Sequence, residues 1–519
     1  MSVADGSTVA GGTAVRIALV SHTNAGKTTL ARTLLGRDVG EIRDAPHVTE
    51  LAQAHLLLQT TRADRLELWD TPGFGDSARL VARLRHADNP IGWILREVWD
   101  RHRDRPLWCS QQAVRAARDS ADVVLYLVNA AEDPRDAGYV APEMQVLRWI
   151  GKPVVVLLNQ VGAPRAVADE EAEVARWRAH LDPHGVVAEV LTLDAFARCW
   201  VQERVLLDAL GRLLPADAQA GFARLVAAWE TRATERFAAS MAAIAEQLVA
   251  TARDSQAVAA TTANTMQRVL QSVGVGRKGG DAARDEALAA LAKRLDAQIR
   301  AATDRLIALH DLDGEAAEGV LQRLAESVAT RGPVDEGRAA LWSCVVSGAL
   351  AGLKADLASG GLTLGAGMLV GGLIGGLAGA GVARGINVWR GAEAPQVRWS
   401  DDFLVGLVVA GILRYLAVAH FGRGRGRYVE GEAPASWRID VEGAVAQRRA
   451  VLRALLHAAR TTADPGEVAG TAAGDLAREL GALAAQVLRD LYPVAAVAGL
   501  LQRAQVVMGE VGAEYEPIG

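Results

Sequence analysis

The feature that most constrains the fold is a series of short apolar runs between residues 15 and 215, separated by stretches with helical periodicity. Several runs are continuously apolar, as a parallel sheet covered by helices on both faces requires. The runs are Arg16–Val20, Ala54–Gln59, Arg65–Trp69, Val123–Val128, Val154–Leu158 and Val187–Leu191. This pattern predicts an α/β domain with a mostly parallel sheet.

The loop after the first predicted strand has the composition of a phosphate-binding loop. It reads Ser21-His22-Thr23-Asn24-Ala25-Gly26-Lys27-Thr28-Thr29 and precedes an apolar helical pattern. In a strand–loop–helix context, backbone N–H groups and the helix N-terminus surround phosphate. We expect Lys27 to reach the terminal phosphates and the Thr28 hydroxyl to hold Mg²⁺. Ser21 replaces the usual first glycine.

A second motif, Asp70-Thr71-Pro72-Gly73, follows the third predicted strand. Asp70 is expected to bind Mg²⁺ through water, and Gly73 offers a backbone N–H and a hinge through which a γ-phosphate could order this segment. Thr49 lies in the interval where a threonine completes the Mg²⁺ shell, although it is equally compatible with a simple loop hydroxyl.

With these motifs, residues 15 to about 215 resemble the Era/TrmE-like branch of the translation-factor-related GTPases. The stretch Asn24-Ala25-Gly26-Lys27 carries the resemblance. It implies binding of GTP and GDP with Mg²⁺ by a P-loop GTPase domain. In that branch the asparagine at the position of Asn24 can coordinate K⁺, so the resemblance also implies possible K⁺ stimulation and dimers formed through the nucleotide domains.

The resemblance also indicates slow intrinsic hydrolysis. Phe74 follows Gly73, and members of the branch with a hydrophobic residue there lack the glutamine that orients the attacking water. Catalysis would then depend on Lys27, on the cation held by Asn24, on a partner, or on another residue such as Asp76.

The motif that normally selects guanine is altered. The expected Asn-Lys-x-Asp reads Asn159-Gln160-Val161-Gly162, so the carboxylate that pairs with guanine is absent and ATP stays an alternative ligand. Asn159 can still bridge to the phosphate loop, with Gln160 beside it. Asp194, near the last predicted strand, is either a substitute acceptor for the base or a helix N-cap.

Beyond the α/β domain the sequence predicts an all-α region. Apolar spacing indicates one long helix over about 217–271, a turn at the glycines of 274–280, and a second long helix through Leu309. The predicted organisation is a flexible N-terminus at 1–14, the α/β domain at 15–215 with a helical insertion at about 76–120, long helices at 216–337, a glycine-rich hydrophobic segment at 338–422 and C-terminal helices at 423–519.

The insertion and the glycine-rich segment each allow two interpretations. The insertion, with Trp93, Trp99 and Trp108, could report nucleotide state or form a subdomain whose tryptophans fill its own core. The uncharged runs 339–353, 357–383 and 403–413 predict a membrane-associated hairpin with glycines spaced by four, or a buried hairpin in a helical core. The arginines of 423–427 suit an anionic lipid surface or a solvated loop.

Charge and cysteine content limit the remaining possibilities. The 519-residue chain has a net charge of -5, so bulk charge gives no indication of nucleic-acid binding. Three widely separated cysteines favour a reducing compartment, which predicts a cytoplasmic protein. The hydrophobic segment at 338–422 adds the expectation that it associates with the cytoplasmic face of a membrane. Three functions follow: a membrane-attached GTPase switch, a soluble GTPase acting on RNA, the ribosome or a protein, and a nucleotide-binding scaffold without useful turnover. The long C-terminal region is similar to that of a group of Era-like GTPases whose C-terminal function is uncharacterised.

Overall fold

The computed structural model describes residues 12–22, 25–35, 53–85, 89–90, 92, 104–161, 167–195, 199–258, 278–312, 386–390, 395–421, 435–461 and 467–511. The chain divides into two compact units. The first comprises Met1–Ala233, His420–Arg427 and Tyr492–Leu500, and the second comprises Thr234–Ala419, Tyr428–Leu491 and Leu501–Gly519. Each unit is described separately below.

A six-stranded sheet forms the centre of the first unit, and all six predicted strands are confirmed. They are β1 (Ala14–Ser21), β2 (Gln53–Gln59), β3 (Arg65–Asp70), β4 (Val123–Asn129), β5 (Val154–Asn159) and β6 (Val187–Thr192). The spatial order is β2-β3-β1-β4-β5-β6. Only β2 runs antiparallel to its neighbour; the other pairs are parallel, as predicted.

Alternate residues of the central strands enter two separate buried clusters, which is why these strands are apolar throughout. One cluster includes Val20, Val124 and Val156. The other includes Leu19, Leu125 and Leu157. The mainly parallel sheet is thus apolar on both faces, and polar residues concentrate where β1, β3 and β5 end.

Helices connect the strands of the first unit. They are α1 (Lys27–Leu35), α2 (Ser77–Leu84), α3 (Arg105–Arg115), α4 (Val140–Ile150), α5 (Val167–Leu181), α6 (Trp200–Leu213) and the beginning of α7 (Ala216–Arg253). The predicted helical insertion contains α2, α3 and a π-helical turn at Ala116–Ser120. Trp108 on α3 is half-buried, whereas Trp93 and Trp99 lie outside the described residues.

The second unit is mostly helical, as predicted. Its described elements are the rest of α7, β7 (Ser255–Ala257), α8 (Lys278–Leu309), β8 (Ile386–Arg390), β9 (Pro395–Trp399), α9 (Asp401–Ala419), α10 (Ala435–Gln447), α11 (Arg449–Thr461), α12 (Glu467–Leu491) and, from Leu501 onward, α13 (Ala495–Val511).

Two details of the predicted helices are wrong. The first long helix ends at Arg253 rather than near residue 271, because Ser255–Ala257 pairs with β9 in a three-stranded antiparallel sheet of order β7-β9-β8. This pairing joins residues about 140 positions apart, so local periodicity carries no sign of it. Gly279 and Gly280, predicted in a turn, lie in the first turn of α8, so that helix starts earlier than expected.

The third uncharged run lies in α9. Within the described part of the chain, α9 is the one helix long and apolar enough to cross a membrane, and 78% of its apolar window is buried inside the structure. Membrane association is therefore not shown by α9. The runs at 339–353 and 357–383 and the arginines of 423–427 lie outside the described residues.

Buried Arg414 ties α9 to two other helices of its unit. Its guanidinium donates to the Gln247 side-chain oxygen (2.8 Å), to the Ile299 carbonyl (3.1 Å) and to the Thr303 hydroxyl (3.3 Å). An arginine carries five N–H donors and keeps its charge, so burial requires such acceptors. Arg414, directly after the third uncharged run, thus forms a contact between α9, α7 and α8.

Candidate functional site

The phosphate loop begins where β1 ends and α1 begins. Lys27 is the first residue of α1, is buried, and donates from Nζ to the Ser21 hydroxyl over 2.9 Å. Burial lowers the pKa of the Lys27 ammonium, and the nearby carboxylates of Asp70 and Glu143 oppose that shift. Ser21, which departs from the usual glycine, therefore holds the lysine side chain in place.

Gly26 is required by its conformation and by its neighbour. Its φ of 86° lies in the left-handed region, and an added Cβ would come within 2.7 Å of the Asn159 amide nitrogen. Asn159 donates from Nδ2 to the Ala25 carbonyl over 2.9 Å and accepts from the Ala195 N–H over 2.9 Å. Asn159 therefore joins the phosphate loop to the segment after β6, through both ends of its amide.

Two oxygen-bearing side chains fit a Mg²⁺ ion. The Thr28 hydroxyl donates to Asp70 Oδ2 over 2.7 Å, so the two predicted ligands are adjacent. The other carboxylate oxygen, Asp70 Oδ1, is buried and has no hydrogen-bond partner within the described residues. Burial raises the pKa of Asp70, whereas the bond from Thr28 and the charge of Lys27 favour the ionised form. A hard cation, directly or through its water, would satisfy this oxygen.

The Asp-Thr-Pro-Gly segment is bound to β1. The Thr71 hydroxyl donates to the Leu19 carbonyl, and the Phe74 N–H donates to the Ser21 carbonyl over 2.9 Å. Gly73 is buried, and Phe74 has no exposed surface. Phe74 consequently supplies no polar group that could orient water.

The structure places Asp76 at the start of α2. Its carboxylate accepts from the Arg79 N–H over 2.9 Å, which makes it the N-cap of that helix. A catalytic role for Asp76 stays a prediction. Asn24 and Thr49 lie outside the described residues, while Thr29 is buried on α1.

Asp194 lies beside the altered fourth motif. Its Oδ2 accepts from the Val161 N–H over 2.8 Å, and the residue is buried. Gln160, between Asn159 and Val161, has a φ of 58°, whereas Gly162 lies outside the described residues. The alternative in which Asp194 caps the following helix is wrong, because the N-cap of α6 is Cys199.

Sequence reasoning missed Glu143 and His22. Glu143 Oε1 lies 2.8 Å from His22 Nδ1, inside the phosphate loop, and the Glu143 side chain is fully buried. One signal could have indicated it: Glu143 occupies the apolar stripe of α4, three residues after Val140 and four before Leu147. A carboxylate at such a position needs a buried partner.

The α/β fold, the phosphate loop and the Thr28–Asp70 pair define a P-loop nucleotide-binding domain, and residues 16–160 match the family model described as 50S ribosome-binding GTPase. The N-terminal domain is thus a GTPase domain of the Era and Der type, which confirms the resemblance. The chain belongs to the family defined by a domain of unknown function, DUF3482, which is matched over residues 186–482 and so over more than half of the chain.

Two relatives, both GTPase Der proteins, match part of this chain. The GTPase Der of Deinococcus deserti is 27% identical over 153 residues, which cover 29% of this chain and 27% of the relative. The GTPase Der of Mycobacterium tuberculosis is 29% identical over 178 residues, covering 34% of this chain and 32% of the relative. The match thus spans about a third or less of the length of these relatives.

The solved structures that match part of this chain include two of Era. An Era variant from Aquifex aeolicus bound to GDP and AlF4⁻ is 19% identical, with a TM-score of 0.29, over 39% of this chain and 57% of that one. Era in complex with MgGDPNP and a segment of 16S ribosomal RNA is 18% identical, with a TM-score of 0.30, over 39% and 57% of the two chains.

Proposed function

We propose that this protein is a Mg²⁺-dependent GTPase switch that couples its nucleotide state to the helical C-terminal region. The observation that supports it most is the pairing of Thr28 with Asp70, next to the buried ammonium of Lys27. A cation and two metal-ligand side chains at one end of a parallel sheet are what a nucleoside triphosphate with Mg²⁺ requires.

Each residue has a defined part in this proposal. Lys27 binds the terminal phosphates, Thr28 and Asp70 hold the ion, and the Gly73 N–H senses the γ-phosphate. Mg²⁺, when bound, would neutralise part of the negative charge of the phosphates. Because Phe74 is buried and apolar, intrinsic hydrolysis is slow unless K⁺ held by Asn24, a second copy of the nucleotide domain or another partner completes the site.

Equilibrium binding tests this proposal first. Purified protein is titrated with fluorescent GTP, GDP and ATP in Mg²⁺ and in EDTA, alongside Lys27→Ala. We expect Mg²⁺-dependent GTP binding that falls at least tenfold in the variant, because the buried ammonium is the main charge facing the phosphates. Equal binding by Lys27→Ala, with its fold intact by circular dichroism, would contradict the proposal.

Asp194 is our candidate for guanine selection in place of the missing carboxylate. It is buried and fixed by the Val161 N–H, directly beside the altered motif. A carboxylate accepts from the N1 and N2 hydrogens of guanine, whereas xanthine presents an oxygen at that edge and pairs better with an amide. Asp194→Asn should weaken GTP binding and strengthen xanthosine triphosphate binding; an unchanged GTP-to-XTP ratio would exclude this role.

For the C-terminal region we propose association with the cytoplasmic face of a membrane through residues 338–422. The apolar run at 357–383 supports it, because it exceeds the roughly 20 residues that a spanning helix needs. The alternative is a soluble protein acting on RNA, the ribosome or a protein partner. The burial of α9 favours that alternative for residues 401–419. A third reading, a scaffold that binds nucleotide without turnover, is supported by Phe74 and Gly162.

A further inference from the structure

A buried acid contacts the phosphate loop without belonging to the nucleotide-binding set. Glu143 accepts from the Tyr126 hydroxyl at Oε2 over 2.6 Å, and its Oε1 lies 2.8 Å from His22 Nδ1. Burial raises the pKa of Glu143, whereas the hydrogen bonds with His22 and Tyr126 and the charge of Lys27 favour its ionised form. Both carboxylate oxygens therefore hold side chains, one from the phosphate loop directly after β1 and one from β4.

The His22 ring is fixed on a second side. Tyr139 stacks on it, with ring centroids 4.4 Å apart and an interplanar angle of 17°. The Tyr139 hydroxyl in turn donates to Glu132 over 3.0 Å. An edge contact and a face contact together leave the imidazole little freedom to move.

The backbone at His22 connects the phosphate loop to the Asp-Thr-Pro-Gly segment. His22 forms a parallel bridge with Phe74, and the preceding residue, Ser21, accepts from the Phe74 N–H over 2.9 Å. The Ser21 hydroxyl also accepts from Lys27. A displacement of His22 would therefore move the backbone on which Phe74 and Lys27 both depend.

We infer that Glu143 is a positioning residue, which fixes His22 so that Ser21 and His22 align the segment Gly73–Phe74 to respond to the γ-phosphate. This inference rests on the proposed GTPase function. Glu143 bonds His22 and Tyr126, so it acts on the phosphate loop through His22. It affects the γ-phosphate-dependent steps more than the binding of GDP, which relies on Lys27 and the rest of the loop.

Three variants test the inference: Glu143→Ala, Glu143→Gln and His22→Ala. Glu143→Ala should lower kcat for GTP about tenfold or more, since misplacement of a reacting group by about 1 Å is that costly. It should also reduce the ratio of GTP to GDP affinity while changing the Kd for GDP by less than about threefold. Glu143→Gln keeps an oxygen for Tyr126 and the side-chain volume, so it should restore most of the activity.

A double variant tests whether Glu143 acts through His22. If Glu143 acts through His22, the pair Glu143→Ala and His22→Ala should lower kcat no more than His22→Ala alone. Because His22 is partly exposed, its substitution also provides the test if Glu143→Ala does not fold. Arg148→Ala is the matched control: Arg148 is an exposed residue of the same helix, it bonds the His184 carbonyl, and its loss should leave the GTP-to-GDP ratio unchanged.

The outcomes separate this inference from the proposed function. Parallel losses of GTP affinity, GDP affinity and Tm, without rescue by Gln, would reduce Glu143 to a role in stability and overturn the inference. Wild-type-like kcat in Glu143→Ala, beside an inactive Lys27→Ala, would overturn the inference alone. Absence of Lys27-dependent turnover in the wild type would overturn both.

Discussion

At the scale of single residues, a departure from the usual phosphate-loop pattern is explained by two bonds. Ser21 stands where the pattern has glycine, and its hydroxyl accepts from Lys27 while its carbonyl accepts from Phe74. A glycine would keep only the second bond. The serine thus restrains the lysine while no phosphate is bound, at a position where a pattern search counts a mismatch.

The buried carboxylate of Asp64, directly before β3 in the first unit, should make the stability of the fold depend on pH. Asp64 accepts from Arg224 Nε (2.8 Å) and Nη2 (2.7 Å), from the Thr60 hydroxyl (2.8 Å) and from the Thr13 N–H (3.0 Å). The paired Arg224 guanidinium holds the pKa of Asp64 well below its ordinary value. Asp64 therefore stabilises the fold above its unfolded pKa of about 3.9, and that stability is lost as pH falls below it.

Asp64→Asn should lower the Tm at pH 7 by about 2–4 °C, the shift typical of one lost interaction in a domain of this size. The difference from the wild type should shrink as pH falls below about 4, because Asp64 then gains a proton on unfolding, which favours the unfolded chain of the wild type. Exposed Asp119, changed to Asn, is the matched control and should leave the Tm unchanged. A Tm difference that stays constant down to pH 2 would show that the Asp64 charge contributes nothing.

The candidate site was only partly predictable at this scale. Lys27, Thr28 and Asp70 could be assigned because fixed spacing in a strand–loop–helix context leaves few other arrangements. The contact of Glu143 with His22 joins residues 121 positions apart, so local spacing cannot reveal it. Asp194 was named as a possible acceptor, but its bond to Val161 depends on how β5 and β6 align.

At the scale of elements, helix α3 of the insertion contacts the second switch, the segment Asp70–Gly75. The Gly75 N–H donates to the Ser110 hydroxyl over 3.1 Å, and that hydroxyl donates to the Pro106 carbonyl over 2.9 Å. Arg79 on α2 pairs with Asp104 over 2.8 Å. These contacts support the interpretation that the insertion reports nucleotide state.

Ser110→Ala should loosen the second switch. The loss of one hydrogen bond to Gly75, worth about 1 kcal/mol, predicts amide exchange about fivefold faster in residues 71–77. Hydrogen–deuterium exchange by mass spectrometry measures this directly. Ser120→Ala, at the end of the insertion, should leave the same peptide unaffected. Equal exchange in the Ser110 variant and the wild type would mean that α3 does not restrain the switch.

The elements themselves were predictable to different degrees. The six strands of the first sheet are predictable because each is a short run rich in apolar residues, and several are continuously apolar, as a sheet buried on both faces requires. The strand Ser255–Ala257 was missed because three residues show no period, and its partner β9 lies far along the chain. The end of α7 was misplaced for the same reason.

At the scale of the whole molecule, two family regions meet in one chain. Residues 16–160 match the GTPase model, and residues 186–482 match the domain of unknown function. The second region therefore includes β6 and α6 of the nucleotide-binding unit as well as much of the helical unit. A region that crosses this boundary is consistent with our proposal that nucleotide state and the helical part are coupled.

Membrane association can be tested on the full chain. We expect the protein to stay with membranes after carbonate extraction, and a variant lacking residues 357–383 to be released, because that run supplies the apolar length for insertion. Recovery of both proteins in the soluble fraction, with RNA or a protein partner, would favour the soluble alternative. A variant without the arginines at 423, 425 and 427 measures the electrostatic contribution to membrane binding separately from that of the apolar run. High salt should abolish this electrostatic contribution.

Multiple-turnover phosphate release from GTP by the purified protein tests most directly whether this chain is a Mg²⁺-dependent GTPase. It compares Mg²⁺ with EDTA, K⁺ with Na⁺ and GTP with ATP, beside Lys27→Ala and Asp70→Ala. We expect slow, Mg²⁺-dependent turnover that prefers GTP, increases in K⁺ and disappears in both variants. Turnover that persists in Lys27→Ala, or tight GTP binding with no release under any of these conditions, would contradict this expectation.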